Sequence, residues 1–226
     1  MGSDDIFKKR KKNRVKRKHD FKTPHANSFL IVTEGTKTEP IYFNAIKNLI
    51  QQKIGGRIDI RPFIDIQGQG KGCSPKKLID ITDQVVKTSK VLYQNIWIVF
   101  DRDEFEDFDD AIKEGIKKEY HIAWSNQCFE YWLYLHLHYS NSALHRDKWY
   151  AKLDECFKKL NLNHNGYQKN DPLLYEHVSK NDGVKKAIRN AKQRMKNFDT
   201  NRDNPSEYDP GTTVHLLVEE LQKYLK

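Results

Sequence analysis

Residues 95–104 read NIWIVFDRDE, and this segment indicates the fold class of the chain more strongly than any other. Its first six residues are mostly apolar, with β-branched and aromatic side chains, which predicts a buried strand. Three acidic residues follow within the next four positions, among them Asp101 and Asp103. Strands that are buried on both faces are typical of parallel sheets covered by helices. The stretch therefore predicts an α/β protein in which a central strand ends in carboxylates.

The neighbouring segments repeat a strand pattern followed by a helix pattern. Further strands are predicted at 28–33, 57–66 and 120–124, and helices at 39–52, 75–87 and 105–119. Such alternation implies parallel strands joined by crossover helices. After residue 125 only helical patterns recur, at 128–138, 147–160, 183–197 and 212–225. We expect an α/β fold with a mostly parallel four-stranded sheet and flanking helices over 28–138, followed by a helical C-terminal region over 139–226 packed on it.

The net charge of the chain comes from its N-terminal tail. Of the 40 Lys and Arg residues, nine lie in residues 8–18, and the remaining 31 equal the 31 Asp and Glu. A run of like charges without apolar residues is disordered when free, so residues 1–27 are predicted to be a basic disordered tail. The tail fits an electrostatic arm that contacts nucleic acid, or a solubilising segment without a partner. The candidate contacts are Lys11, Arg14, Lys16 and Arg17.

Composition and patterning exclude several classes of protein. The longest apolar runs have about five residues, too few for a transmembrane helix. No apolar segment follows the basic stretch as it would in a secretory signal. Cys73, Cys128 and Cys156 are scattered, which argues against a disulfide scaffold and a structural zinc site. We expect a cytoplasmic protein that does not contact membranes; the sequence does not indicate an oligomeric state.

Carboxylates follow two of the predicted strands. Glu34 comes directly after strand 28–33, and Asp101 and Asp103 come after strand 95–100. The carboxyl ends of parallel strands meet at one edge of a sheet. Carboxylates that lie close together need a proton, a base or a metal ion, and Mg²⁺ or Mn²⁺ prefers such oxygen ligands. The alternative stays open that the aspartates cap a helix and that Glu34-Gly35 forms a plain turn.

Four motifs, in this order, resemble the RloB family, whose fold is of the TOPRIM type. They are IVTEGTKTEPIYF (31–43), VFDRDEF (99–105), WSNQCFEYWLYLH (124–136) and DPGTTVHLLVEEL (209–221). A first strand that ends in Glu-Gly and a later strand that ends in Asp-x-Asp are the arrangement of the TOPRIM fold. The chain departs from the family at Gln127, where Pro is usual, and at Gly211, where Ser is usual. Neither departure removes an acid.

The resemblance implies a TOPRIM-type nuclease that depends on Mg²⁺ or Mn²⁺ and cleaves DNA or RNA, with tRNA among the candidate substrates. By position, Glu34, Asp101 and Asp103 match the metal-binding acids, with Glu34 either completing the site or acting as general base. Family members are encoded in restriction–modification loci, and relatives act in abortive infection against phage. The resemblance also implies an ATPase partner encoded nearby. An alternative function is that of a catalytically inactive nucleic-acid-binding or regulatory subunit of a defence complex.

Other polar residues are assigned to the same site. Lys37, near a predicted helix start, could pair with a phosphate or be a surface lysine. Glu130 lies in an apolar helix, where an unpaired carboxylate is costly, so it should pair with Arg102 or Lys169 or support the metal site. Asn126 follows the last predicted strand and points toward the same edge.

The resemblance also places Lys169 in a Tyr-x-Lys motif. Lys71, in the loop 67–74, could contact a phosphate backbone, although a flexible loop is the alternative. Together with Arg102, Asn126 and the tail cations, these lysines are our candidate nucleic-acid contacts. A different phosphoryl-transfer enzyme, such as a nucleotidyl transferase, is a third possibility. The absence of a P-loop motif weakens it.

Overall fold

A computed structural model describes residues 23–24, 27–53, 64–68, 73–199 and 203–225. Three of our predictions fall wholly or partly outside the described residues. They are residues 1–22 of the basic tail with its candidate contacts, residues 57–63 of the predicted strand 57–66, and the loop lysine Lys71. Within the predicted disordered tail, Thr23–Pro24 instead forms a two-residue strand that pairs with Val91–Leu92.

The described elements follow one another as expected from an α/β sequence. In chain order they are β1 (Thr23–Pro24), β2 (Phe29–Thr33), α1 (Thr38–Lys53), β3 (Ile64–Gly68), α2 (Pro75–Thr88), β4 (Val91–Leu92), β5 (Asn95–Asp101), α3 (Phe108–Lys117), β6 (His121–Asn126), α4 (Phe129–Leu135), α5 (Arg146–Lys159), α6 (Leu174–Ser179), α7 (Gly183–Met195), β7 (Gly211–Thr212) and α8 (Val214–Gln222). The predicted α/β class is confirmed. Helix α6 was not predicted, because its six residues are too few to show a helical period.

The main sheet is mixed and has five strands in the order β3-β2-β5-β6-β7. The first four strands in this order are parallel, as predicted, and β7 runs antiparallel to β6. The prediction of four strands is therefore corrected to five. Strand β7 has two residues, so it shows no period-two pattern in the sequence. Tertiary hydrogen bonds hold it instead: the Thr212 hydroxyl donates to the Trp124 carbonyl over 3.0 Å.

The two faces of the sheet bury separate apolar clusters. Alternate residues of a strand point to opposite faces, so β2 gives Phe29 and Ile31 to one cluster and Leu30 and Val32 to the other. Helices α1 and α4–α8 cover the first face, and α2 and α3 cover the second. Because both faces are covered, the central strands read as continuous apolar runs. No helix among the described residues is long and apolar enough to cross a bilayer.

The strand order creates a switch point between β2 and β5. The chain leaves β2 through α1 to reach β3 on one side, whereas β5 lies on the other side of β2. In open parallel sheets, ligands bind outside the carboxyl ends of the strands at such a point. The fold thus directs attention to the residues that follow β2 and β5.

Candidate functional site

Glu34 and Asp101 meet at the switch point. Thr33 pairs with Val99 in the sheet, so the ends of β2 and β5 lie side by side. The Glu34 amide donates to the Val99 carbonyl over 2.9 Å, which continues the ladder by one residue. The Asp101 amide donates to Glu34 Oε2 over 3.2 Å, and Asp101 Oδ2 accepts from the Phe129 amide over 3.0 Å. The ends of the two strands therefore bring these two acids together.

Asp103 joins them through a sharp turn after β5. Its φ is 44°, in the left-handed region that Asp enters more readily than most residues. The Asp103 amide donates to the Gln127 carbonyl over 3.2 Å, which ties the turn to the end of β6. Asp103 Oδ2 pairs with the Arg146 guanidinium at 2.6 Å. Asp103 Oδ1 is buried and has no hydrogen-bond partner among the described residues.

Two further carboxylates, Glu39 and Glu130, lie almost fully buried beside the first three. Glu39 is in the first turn of α1, and its carboxylate lies so close to Gly35 that a Cβ atom there would force the carboxylate to move. Glu130 Oε1 accepts from the Tyr167 hydroxyl over 3.0 Å and pairs with Lys169 Nζ at 3.1 Å. The C-terminal region thus supplies the partners of the buried Glu130.

These side chains line one pocket of about 510 Å³, which we call the acid pocket. Its lining consists of Glu34, Gly35, Thr36, Lys37, Thr38, Glu39, Asp101, Asp103, Phe129, Glu130, Arg146 and Lys169. Five of these residues are acids and three are bases. With all of them ionised the pocket carries two negative charges, the charge that one divalent cation would balance.

Burial and mutual repulsion raise the pKa values of the three acids at the strand ends. Burial, aided by the nearby carboxylates of Asp103 and Glu39, raises the pKa of Glu34 to about 7, although the hydrogen bond from the Asp101 amide opposes the rise. Burial also raises the pKa of Asp101 well above its ordinary range, with contributions from Glu39 and Glu34. For Asp103, burial outweighs the nearby Arg146 guanidinium, so its pKa is raised as well. The acid pocket therefore favours the uptake of protons or of a cation.

The carboxylate oxygens of the acid pocket are of the chemical type that binds a hard divalent cation. The positions of these described residues, however, do not form a coordination shell around one point. Carboxylate oxygens, one of them without a partner, are the ligands that Mg²⁺ and Mn²⁺ prefer. Within the described part of the chain, however, no three acidic, His or Cys side chains already surround one metal position. The acids face other partners instead, such as Arg146 for Asp103 and the Phe129 amide for Asp101. An ion would have to exchange with these partners.

The structure brings some of the predicted site residues together and separates others. Lys37, Glu130 and Lys169 line the acid pocket with the three strand-end acids. Asn126 does not, because it is fully buried and its amide group donates to the Ser206 carbonyl over 2.9 Å. Arg102 does not line the pocket either.

Arg102 instead lies near Asp209. Burial raises the pKa of the Asp209 carboxyl, and the Arg102 charge opposes that rise. Sequence reasoning assigned no role to Arg146, which begins α5 far along the chain from the strand ends. Glu39 lies within the first family motif and was assigned no separate role from the sequence. Its position five residues after Glu34, at the start of a predicted helix, is the feature that could have placed it near the strand ends.

The hydrogen bond from Tyr167 to Glu130 gives a test of this arrangement. We expect Tyr167→Phe to lower the free energy of unfolding by about 1 kcal/mol, because a buried carboxylate loses a donor that Phe cannot replace. Urea denaturation measures the change. Tyr139→Phe, at a partly exposed tyrosine outside the pocket, is the control and should change stability by less than about 0.5 kcal/mol. Equal effects of the two substitutions would contradict the contact.

The fold and the site define an α/β protein with an acid pocket at the switch point of its parallel strands. The sequence model of the family described as RloB-like protein matches residues 29–221. The chain belongs to the RloB-like family. The comparison with curated proteins gives no match, and neither does the comparison with solved structures.

Proposed function

We propose that this chain is a nuclease of the TOPRIM type that cleaves phosphodiester bonds in DNA or RNA with Mg²⁺ or Mn²⁺. The observation that carries the proposal is the meeting of Glu34, Asp101 and Asp103 at the ends of β2 and β5. Carboxylates gathered where an open parallel sheet binds its ligands are the arrangement that metal-assisted phosphoryl chemistry uses. Membership in the RloB-like family supports this reading.

Each side chain of the acid pocket has a role in the proposal. Asp101 and Asp103 would hold the ion, which when bound activates water and polarises a phosphate oxygen. Lys37 is exposed at the mouth of the pocket, where its ammonium group would attract a phosphate. Lys169 Nζ lies 3.1 Å from Glu130 Oε1 and would supply the positive charge beside this buried acid. Glu34 either completes the metal site or acts as general base.

We also propose a biological setting, which rests on the family resemblance. The chain would act in antiphage defence by abortive infection, beside an ATPase encoded nearby. An enzyme that cleaves nucleic acid must stay inactive in a healthy cell, so control by a partner is consistent with the proposed activity.

A second candidate function is that of a catalytically inactive subunit that binds nucleic acid or regulates a partner. The ion pair between Arg146 and Asp103 favours it. A guanidinium at 2.6 Å already balances this carboxylate, so Asp103 does not need a metal ion to be stable.

Cleavage of a mixed nucleic-acid panel tests the choice between the two functions. The panel contains duplex DNA, single-stranded DNA and total tRNA, each incubated with the full chain in Mg²⁺, in Mn²⁺ and in EDTA. We expect at least one substrate to be cleaved with metal and none in EDTA. Binding without cleavage in either metal would favour the inactive subunit, and cleavage that persists in EDTA would contradict the role of the metal.

A further inference from the structure

Helix α7 carries a row of exposed cations that the acid pocket does not use. Residues 183–197 contain six Lys and Arg and no acidic residue. Ala187, Asn190 and Ala191 face the core, and the Asn190 side chain donates to the Leu135 carbonyl over 2.9 Å. The opposite side of the helix carries four exposed cations at spacings of four, three and four residues. We call these the α7 stripe: Lys185, Arg189, Lys192 and Lys196.

The stripe is continuous and carries a net positive charge. At 1.5 Å per residue it extends about 16 Å along the helix. A surface pocket of about 570 Å³ runs beside it and is lined by the four cations together with Ile188 and Gln193. None of the described residues that line this pocket is acidic. The surface therefore matches an extended row of negative charges better than a single anion.

The ion pairs of the stripe do not block an incoming partner. Lys185 pairs with Asp182 at 2.9 Å, and Lys192 pairs with Glu219 at 2.5 Å. Pairs this exposed contribute at most about 1 kcal/mol each, so other anions can replace them. Arg189 and Lys196 form no ion pair with any described residue. Within the described part of the chain, these two cations therefore have no ion pair to exchange.

The composition of the stripe favours nucleic acid over an acidic protein. The centres of protein interfaces are enriched in aromatic residues and depleted in Lys. The stripe instead consists of three lysines and an arginine, and no aromatic residue lines the pocket beside it. Phosphate backbones are bound mainly by Lys and Arg, through charge and without sequence readout.

Hydrogen bonds link the C-terminal end of α7 to Asp103 of the acid pocket by way of Asp209 and Gln127. The Arg194 guanidinium donates to the Pro210 and Asp209 carbonyls over 2.9 and 3.1 Å. Asp209 Oδ2 accepts from the Gln127 amide group over 3.4 Å, and the Gln127 carbonyl accepts from the Asp103 amide. Helix α7, which carries the stripe, is therefore anchored to the segment that positions Asp103.

We propose that the α7 stripe is a docking surface for the phosphate backbone of a nucleic acid. This inference depends on the proposed function in one respect: it assumes that the bound nucleic acid is the substrate of the nuclease. DNA and RNA present the same phosphates, so the stripe itself does not select between them. It positions the polymer, while cleavage belongs to the acid pocket.

Salt-dependent binding of the full chain in EDTA tests the proposal. Fluorescence anisotropy gives the affinity for a DNA duplex and for tRNA between about 50 and 200 mM salt, the range over which phosphate contacts weaken strongly. The variant is Arg189→Ala with Lys196→Ala. The control is Lys113→Ala with Lys117→Ala, which removes the same charge from exposed positions of α3 next to Glu114.

We expect the α7 double variant to bind at least about ten-fold more weakly at low salt, with a log–log salt slope smaller in magnitude by about 2. The control should match the parent. The nucleic acid that loses more affinity is the one that the stripe contacts. An unchanged affinity for both nucleic acids, or equal losses in the control, would overturn the proposal. So would polyglutamate competing as strongly as nucleic acid for the parent but not for the variant.

This experiment separates the docking surface from the nuclease proposal. Because it runs without metal, binding along α7 would stand even if the chain never cleaved a substrate. Conversely, cleavage together with unchanged binding by the double variant would support the nuclease and overturn the docking surface. Arg189→Glu with Lys196→Glu is a second variant, and it should weaken binding further than the alanine pair does.

Discussion

Asp101→Asn should reduce metal-dependent cleavage by about 10²- to 10³-fold, judged from the loss of a single transition-state contact in other enzymes. Burial raises the pKa of Asp101 well above its ordinary range, and four neighbouring carboxylates add to the rise. Replacing it removes a full negative charge from the proposed metal site. Asn is nearly the same size, and its side-chain oxygen can still accept from the Phe129 amide. The measurement is the single-turnover cleavage rate of whichever panel substrate the parent cuts.

Stability separates a chemical effect of Asp101→Asn from misfolding. Without metal we expect the variant to be at least as stable as the parent, because it relieves repulsion among buried carboxylates. Glu106→Gln is the matched control, since Glu106 is exposed and lies outside the acid pocket. The control should cleave at the parental rate. A folded Asp101→Asn variant that cleaves within about ten-fold of the parent would contradict the assignment.

Arg146→Ala should lower the free energy of unfolding by about 2 kcal/mol in metal-free buffer. This loss of stability lies between the small loss expected for an exposed ion pair and the large loss expected for a buried one. The intermediate value follows because Asp103 is mostly buried whereas Arg146 is not. The loss leaves Asp103 without a counter-charge in a pocket that is already negative. Saturating Mg²⁺ should remove most of the deficit, because the ion replaces the missing positive charge. Urea denaturation with and without Mg²⁺ measures both values.

Lys148→Ala is the control for Arg146, because Lys148 is exposed on the same helix and forms no ion pair with a described residue. It should change stability by less than about 0.5 kcal/mol in either buffer. If the Arg146→Ala deficit stayed the same in Mg²⁺, the guanidinium would be stabilising Asp103 in a way that an ion cannot replace. That outcome would favour the inactive-subunit function.

The sequence predicted the part of the site that depends on strands alone. The apolar run before Asp101 indicated a central strand, and parallel strands end at one edge, so Glu34 and Asp101 could be paired without coordinates. The same logic failed for Asn126. Asn126 does lie at the end of β6. Its side-chain amide, however, donates to the carbonyl of Ser206, which lies in a turn about 80 residues further along the chain.

The role of Arg146 and the presence of strand β7 both escaped prediction, and the reasons are similar. Arg146 reaches Asp103 because Gln127 Oε1 accepts from the Arg146 amide and so holds the start of α5 beside the strand ends. Strand β7 depends on hydrogen bonds between Thr212 and β6. In both cases a tertiary contact fixes the position, and neither a hydrophobic period nor a charge pattern in the local sequence reports it.

Mn²⁺ binding tests most directly whether the acid pocket holds a metal ion. Electron paramagnetic resonance would follow the free ion as Mn²⁺ is titrated into the parent, Asp101→Asn and Glu106→Gln. We predict saturable binding by the parent and by Glu106→Gln, and at least about ten-fold weaker binding by Asp101→Asn. Equal binding by all three proteins, or no binding by the parent, would contradict a metal site formed by Glu34, Asp101 and Asp103.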